Sequence, residues 1–173
     1  MNRKTLAGFA SSLLVLIIWA ANARGVEISG TISTTLTIHE DSELVGDVIC
    51  MVANAPCIKF GAPGIKLRLH GFTITGRADP PANCTDTITF AAEDGIQVVA
   101  QDHAAVLGPG VVRKFARFGI LLARSKQGKV KHVTVADNCF SGIQLSGAAD
   151  SDIDENVSVR NAVAAAGFSC GGT

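Results

Sequence analysis

Three groups of side chains along this sequence have the types and spacing that chemistry needs. The run "DSDIDEN" sets Asp150, Asp152 and Asp154 at alternate positions with Glu155 beside them, and hard oxygen ligands so placed suit Ca²⁺. It lacks the glycine and the distal glutamate of an EF-hand loop, so the plainer reading is a solvated turn with Ile153 inward and the carboxylates outward. The run "VVRKFARF" supplies Arg113, Lys114 and Arg117, followed by Arg124, Lys126, Lys129 and Lys131. Gathered on one outer face these cations would bind an acidic glycan, and Arg113, Lys114, Arg117 and Arg124 are the candidate binding residues. Outward strand positions are also charged simply for solubility. Lyase chemistry on such a ligand would further need a base beside the sugar's C5 proton and stabilisation of the resulting carboxylate dianion.

Glu93-Asp94 and Asp102-His103 lie close in sequence around "GIQVV" and offer an acid and a base on an exposed face, since glycoside hydrolysis needs at least two carboxylates at a suitable separation. Adjacent residues of a strand face opposite sides, which separates Asp102 from His103 if they stand in one. His39, His70 and His132 stand singly and read as surface or turn residues. No catalytic residue emerges from these sets, and no cofactor is expected beyond the Ca²⁺ candidate.

The opening "MNRKTLAGFASSLLVLIIWAANARG" has Arg3 and Lys4 ahead of an apolar run and a small-x-small pattern at Ala21-Asn22-Ala23, the layout of a secretory signal peptide spanning 1–23. Its strongly apolar core is shorter than the roughly 20 residues of a membrane span. The expected protein is therefore secreted or periplasmic, without a stable span after cleavage, and residues 24–173 form one domain. Fifteen Lys and Arg against fifteen Asp and Glu argue against nucleic acid or an anionic membrane as partner. After export five cysteines remain, Cys50, Cys57, Cys84, Cys139 and Cys170. An odd count leaves one free or bonded to another chain. The spacing "CMVANAPC" makes Cys50 with Cys57 the candidate local disulfide, whereas zinc would want CxxC or finger-spaced histidines.

The elements that must position these groups are written as a repeat. "DGIQVVAQ", "FGILLARS", "SGIQLSGA" and "AGFSCGGT" align with Gly95, Gly119, Gly142 and Gly167 at intervals of 24, 23 and 25. Val112, Val135 and Val159 follow at 23 and 24, and Val130 and Ile153 at 23. Within a unit apolar residues alternate, as in Val133/Val135, Val157/Val159 and Ile143/Leu145, broken by Gly, Asn, Asp and Ser, which predicts short strands between tight turns. Such a unit cannot bury its apolar side alone, but stacked units can. Right-handed crossovers between parallel strands then make an all-β solenoid, a right-handed parallel β-helix with about 23–25 residues per coil. Glycine before the Ile suits a positive φ or a close approach, and Asn138 and Asn161, 23 apart, are expected to stack at a turn. "IKLRLHGFTITG" adds two strands with Leu67, Leu69, Phe72 and Ile74 as the buried set. An irregular first part, 24–60, is expected to cap the stack, a loop insertion at 77–93 breaks the period, and 94–173 carries the regular coils. "AGFSCGGT" stops as a new coil begins, which implies either an apolar end covered by another chain, and so self-association, or a shortened version of a longer helix. The sequons Asn83-Cys84-Thr85 and Asn156-Val157-Ser158 matter only in a glycosylating host.

"APCIKFGAPGIKLRLHGFTITG", "GPGVVRKF", "VTVADNCFSGIQLSG" and "VRNAVAAAGFSCGG" resemble the right-handed parallel β-helix repeat proteins of bacteria, within the pectin lyase-like superfamily, over roughly 36–173. The resemblance implies the fold and a polysaccharide-related role. It carries over no catalytic residue: the NTD, DD and GHG motifs of the polygalacturonase-like members are missing, with "LHGF" at His70-Gly71 the nearest piece, and "QDHA" at Asp102-His103 only distantly echoes the DPHE of alginate epimerases. The expected function is a non-catalytic binding or structural module, with extracellular polysaccharide as the candidate partner. The alternative is a polysaccharide lyase, epimerase or glycoside hydrolase acting on an acidic glycan.

Overall fold

A computed structural model describes residues 25–78, 84 and 92–161. The expected signal peptide, most of the expected insertion at 77–93, the sequon at Asn83, Gly167 and Cys170 lie outside the described residues. What is described is all-β: thirteen strands, no helix, and every strand pairing parallel. The chain visits two sheets in turn. One contains β1 (Val26–Ile32), β3 (Ser42–Cys50), β5 (Lys66–Arg68), β6 (Thr73–Thr75), β8 (Ala105–Arg113), β10 (Lys129–Ala136), β12 (Asp152–Asp154) and β13 (Val157–Val159). The other contains β2 (Leu36–Ile38), β4 (Ile58–Phe60), β7 (Ile96–Val99), β9 (Ile120–Ala123) and β11 (Ile143–Ser146).

Parallel pairing places like residues of successive units over one another. In the larger sheet Leu67, Val106, Val130 and Ile153 form one register line and Val48, Ile74, Val112 and Val135 another. In the smaller, Leu36, Ile58, Ile96, Ile120 and Ile143 line up. Leu67, Val106, Val130, Ile74, Val112, Val135, Ile58, Ile96 and Ile120 are all at most 1% exposed, so these lines are the core between the sheets. Each such side chain contributes ~1.5–3 kcal/mol by leaving water. Of the buried set expected upstream, Leu67, Leu69 and Ile74 are fully buried and Phe72 packs against the core only in part.

The glycines before each Ile are there for close approach. A Cβ on Gly119 would lie 2.7 Å from the Gly142 carbonyl oxygen and 2.8 Å from Asn138 Nδ2. The left-handed backbone falls at the corners instead, and side chains other than glycine occupy it: Lys114, Asp137 and Arg160 form one column, Ala100 and Arg124 another with Gly147, and His103, Gln127 and Asp150 a third with Gly64.

One expected register is off by a residue. Val135 pairs with Ser158, and Val159 with Ala136, so the interval is a constant 23 and Val157 is 51% exposed. Polar side chains set this register. Asn156 accepts from the Val133 amide at 2.9 Å and donates to the Val130 carbonyl at 2.7 Å, while Asn161 accepts from the Asn138 amide and donates to the Val135 carbonyl. A slip of one residue would flip these amides away from the groups they satisfy.

The chain forms the expected disulfide Cys50–Cys57, which joins the end of β3 to the turn entering β4. A second, Cys84–Cys139, spans 55 residues of sequence. Bonds of this kind persist in oxidising compartments. Among the described residues no helix is long and apolar enough to cross a membrane.

Candidate binding groove

The outer face of the larger sheet carries its charge in rows, one per unit. Register places Lys66, Ala105, Lys129 and Asp152 in one column and Glu27, Glu43, Arg68, Leu107, Lys131 and Asp154 in the next. Read along the stack, Glu27 and an acidic row (Asp41, Glu43) meet a basic row (Lys66, Arg68), then a neutral row (Ala105, Leu107), a second basic row (Lys129, Lys131) and a second acidic row (Asp152, Asp154, Glu155). Ion pairs join each basic row to the acidic row outside it: Arg68 to Asp41 at 3.7 Å, and Lys131 to Asp152 at 2.7 Å and Asp154 at 3.7 Å. The hydrogen bond to Asp152, with the charges of Asp152, Asp154 and Glu155, holds the Lys131 ammonium above its ordinary pKa. Histidine corners extend the same pattern, His70 to Glu43 at 2.9 Å and His132 to Glu155 at 2.8 Å.

Along one margin of this face lies an open concavity of about 430 Å³, lined by Lys66, His103, Ala105, Gln127, Lys129 and Asp150. Three strands and one corner column build it. Lys66, Ala105 and Lys129 begin β5, β8 and β10, and His103, Gln127 and Asp150 project from the left-handed corners that precede the strands. Lys66 and Lys129 stand two strand spacings apart, roughly 10 Å, with the methyl of Ala105 as the floor between them. Among the described residues neither ammonium, nor the His103 ring, the Gln127 amide or the Asp150 carboxylate, is engaged in an ion pair or a side-chain hydrogen bond. Two cations over a small apolar floor, against the single carboxylate of Asp150 and with a ring and an amide alongside, leave a net positive lining that can hold a carboxylate by charge and hydrogen bonding.

The four candidate cations do not converge on it. Arg113 and Lys114 end β8 and enter the following turn, where Arg113 Nε donates to Thr75 Oγ1 at 3.2 Å. Arg124 stands in the left-handed corner that follows β9, three residues before Gln127, and does not line the concavity. Arg117 is committed to Asp94, with Nε at 2.7 Å from Oδ1 and a second bond from Nη2 to Oδ2, and its guanidinium lies 4.9 Å from the Phe118 ring centroid. Glu93 and Asp94, considered as an exposed acid pair, are 6% and 0% exposed. Glu93 accepts from Arg77 Nη2 at 2.6 Å and from the Asn54 amide, and its hydrogen bond and charge raise the Arg77 pKa. Asp94 also accepts from Gln97 at 3.1 Å. Both are structural ion pairs at the corner where the insertion leaves and returns. Asp102 takes the Lys126 amide at 2.8 Å, so of its sequence pair only His103 reaches the groove.

The acidic run is divided too. Asp152 and Asp154 face Lys131, Asp150 lines the groove, and among the described residues no three His, Cys, Asp or Glu side chains gather to hold a metal ion. Asn156 spends both ends of its amide on the backbone of the preceding unit, whatever its sequon.

Lys66 went unread in the sequence because the insertion breaks the period between it and Ala105, an interval of 39 residues. Its signal is the shared placement of Lys66 and Lys129, each two residues after a left-handed corner, Gly64 and Gln127, and just before a core residue, Leu67 and Val130. The chain matches no protein-family model, no curated protein and no solved structure.

Proposed function

We propose that the chain is a secreted or periplasmic right-handed parallel β-helix of the pectin lyase-like kind, and that it serves as a non-catalytic binding module for an acidic extracellular polysaccharide. The stacking of 23-residue units, the right-handed preference of parallel crossovers and the two disulfides support the first half. The groove supports the second: Lys66 and Lys129, held in register on either side of Ala105, present unneutralised ammoniums where the outer rows are already ion-paired. A linear polymer lying along the stack meets Lys66 and Lys129 on either side of Ala105 before it reaches Asp152.

Affinity electrophoresis or calorimetry with polygalacturonate, alginate and neutral dextran tests this. Binding of the acidic polymers alone, weakened about tenfold or more in Lys66→Ala/Lys129→Ala, is the expected result. Equal affinity of that variant would sink the groove reading. His103 and Asp150 lining the same groove keep a second reading in play, acid–base chemistry on the bound glycan. Ultraviolet-absorbing unsaturated product during the same incubations would establish it and overturn the non-catalytic reading.

A further inference from the structure

We infer that the groove selects its glycan by the spacing of negative charge, and that its ligand is a linear polymer with one carboxylate on every second sugar. The inference rests on the binding reading of the groove and names the ligand class. The sheet order β3-β5-β8-β10-β12 stacks five outward residues in one column: Asp41, Lys66, Ala105, Lys129 and Asp152. Asp41 directly precedes Ser42, the partner of Leu67, and its Oδ1 accepts the Lys66 amide at 2.9 Å. The charges therefore run minus, plus, neutral, plus, minus. The neighbouring column repeats that order, with Glu27 and Glu43 at one end, Arg68, Leu107 and Lys131 in the middle and Asp154 at the other. Both groove ammoniums thus lie inside a frame of carboxylates. Asp150 adds one more at the Asp152 end, while Asp102 and Lys126, just before His103 and Gln127 in the corners, bring one charge of each sign.

Strand spacing turns this order into a ruler. Lys66 and Lys129 stand roughly 10 Å apart, and the two carboxylates outside them roughly 19 Å apart. A pyranose residue advances an extended glycan by close to one strand spacing, so successive sugars lie over successive residues of the column. Where acidic and neutral sugars alternate, two acidic sugars meet Lys66 and Lys129, a neutral one lies on the Ala105 methyl, and neutral ones meet Asp41 and Asp152. A polymer charged on every sugar has the same two attractive contacts and adds a carboxylate over Ala105 and one at each end. Whichever way those end carboxylates turn, they stay within the ~10 Å reach of charge in dilute salt of Asp41 and Glu43 or of Asp150 and Asp152. Over the whole face the carboxylates of Glu27, Asp41, Glu43, Asp150, Asp152, Asp154 and Glu155 outnumber the cations of Lys66, Arg68, Lys129 and Lys131. Negative charge beyond the two groove contacts is therefore repelled.

Calorimetry of the full chain at low ionic strength tests this with size-matched fragments of hyaluronan, which alternates glucuronate with a neutral amino sugar, and of polygalacturonate, charged on every sugar. Hyaluronan should bind about five- to tenfold more tightly, the gap closing at high salt. Leu107→Lys fills the neutral row at a half-buried outward position, and Asp152→Asn removes one end charge from a half-exposed side chain. Each variant should raise the affinity for polygalacturonate more than for hyaluronan and narrow the gap about twofold or more; circular dichroism verifies their folding. Polygalacturonate binding as tightly as hyaluronan would overturn the spacing inference, and so would a hyaluronan preference that neither variant narrows, since the amino sugar and not the charge order would then explain it. In both cases weaker binding by Lys66→Ala/Lys129→Ala leaves the groove reading standing. No binding of either polymer would overturn both.

Discussion

Asn138 donates from Nδ2 to Oδ1 of Asn161, one unit on, at 2.8 Å, and accepts the Phe115 amide, one unit back, at 3.0 Å. Asn138 is 0% exposed, so each amide of the column satisfies backbone that the bend between strands leaves without a ladder partner. Asn138→Ala should cost about 2–3 kcal/mol, because it strands a buried amide as well as removing a bond. Asn161→Ala, at the less buried end of the column, should cost about 1 kcal/mol. Urea midpoints of the two variants check the order; a larger loss at Asn161 would contradict it.

Arg117 separates structure from binding. Removing one partner of a buried ion pair costs about 3–5 kcal/mol, and Asp94 has no exposure at all. Arg117→Gln should therefore unfold at lower urea by that margin while affinity for polygalacturonate stays within about twofold. Loss of affinity with stability intact would return Arg117 to the ligand.

Two exposed ion pairs bound the pH range of stability. The hydrogen bond and charge of Arg160, with Lys114 and Arg113 nearby, depress the Asp137 carboxyl. A depressed acid contributes stability above its unfolded pKa, about 3.9, and loses it as pH falls through the folded value. Lys131, raised by Asp152, contributes below about pH 10.4 and loses it as pH rises through its folded pKa. The urea midpoint should sag at both limits. Asp137→Asn should remove part of the acid sag, and Lys131→Gln part of the alkaline one; unchanged slopes in both variants would refute the assignment.

The Cys84–Cys139 bridge closes a loop of 55 residues. Chain-entropy arguments give such a crosslink about 4 kcal/mol. Cys84→Ser/Cys139→Ser should show that loss in thermal or urea unfolding, whereas opening the seven-residue Cys50–Cys57 loop should cost less. The reverse order would mean that native-state packing, and not loop length, sets the contribution.

Much of the fold was legible because a stacked repeat is a local code. Alternation marks strands, a 23-residue interval marks stacking, and identical neighbours in register need no long-range information beyond the period. Hence the ladders through Val112, Val135 and Ile120, the Asn138–Asn161 column and the Cys50–Cys57 bridge could all be expected from residue types and spacing. Val159 misled because hydrophobicity alone aligned it with Val135, while the amides of Asn156 and Asn161 pay no heed to hydrophobic pattern and place Ser158 there.

The site was not legible in the same way. Arg113, Lys114, Arg117 and Arg124 are near one another in sequence, yet a strand and two corners separate them, and Asp94 claims one. Lys66, His103, Lys129 and Asp150 are far apart in sequence, yet stacking brings them to one groove. By itself the sequence determined the unit, its period and its inward residues, since those follow from local alternation. Which outward charges pair and which remain available was decided only by tertiary structure, because that depends on what lies about 4.8 Å above and below each strand, a neighbour that an insertion of unpredictable length can shift.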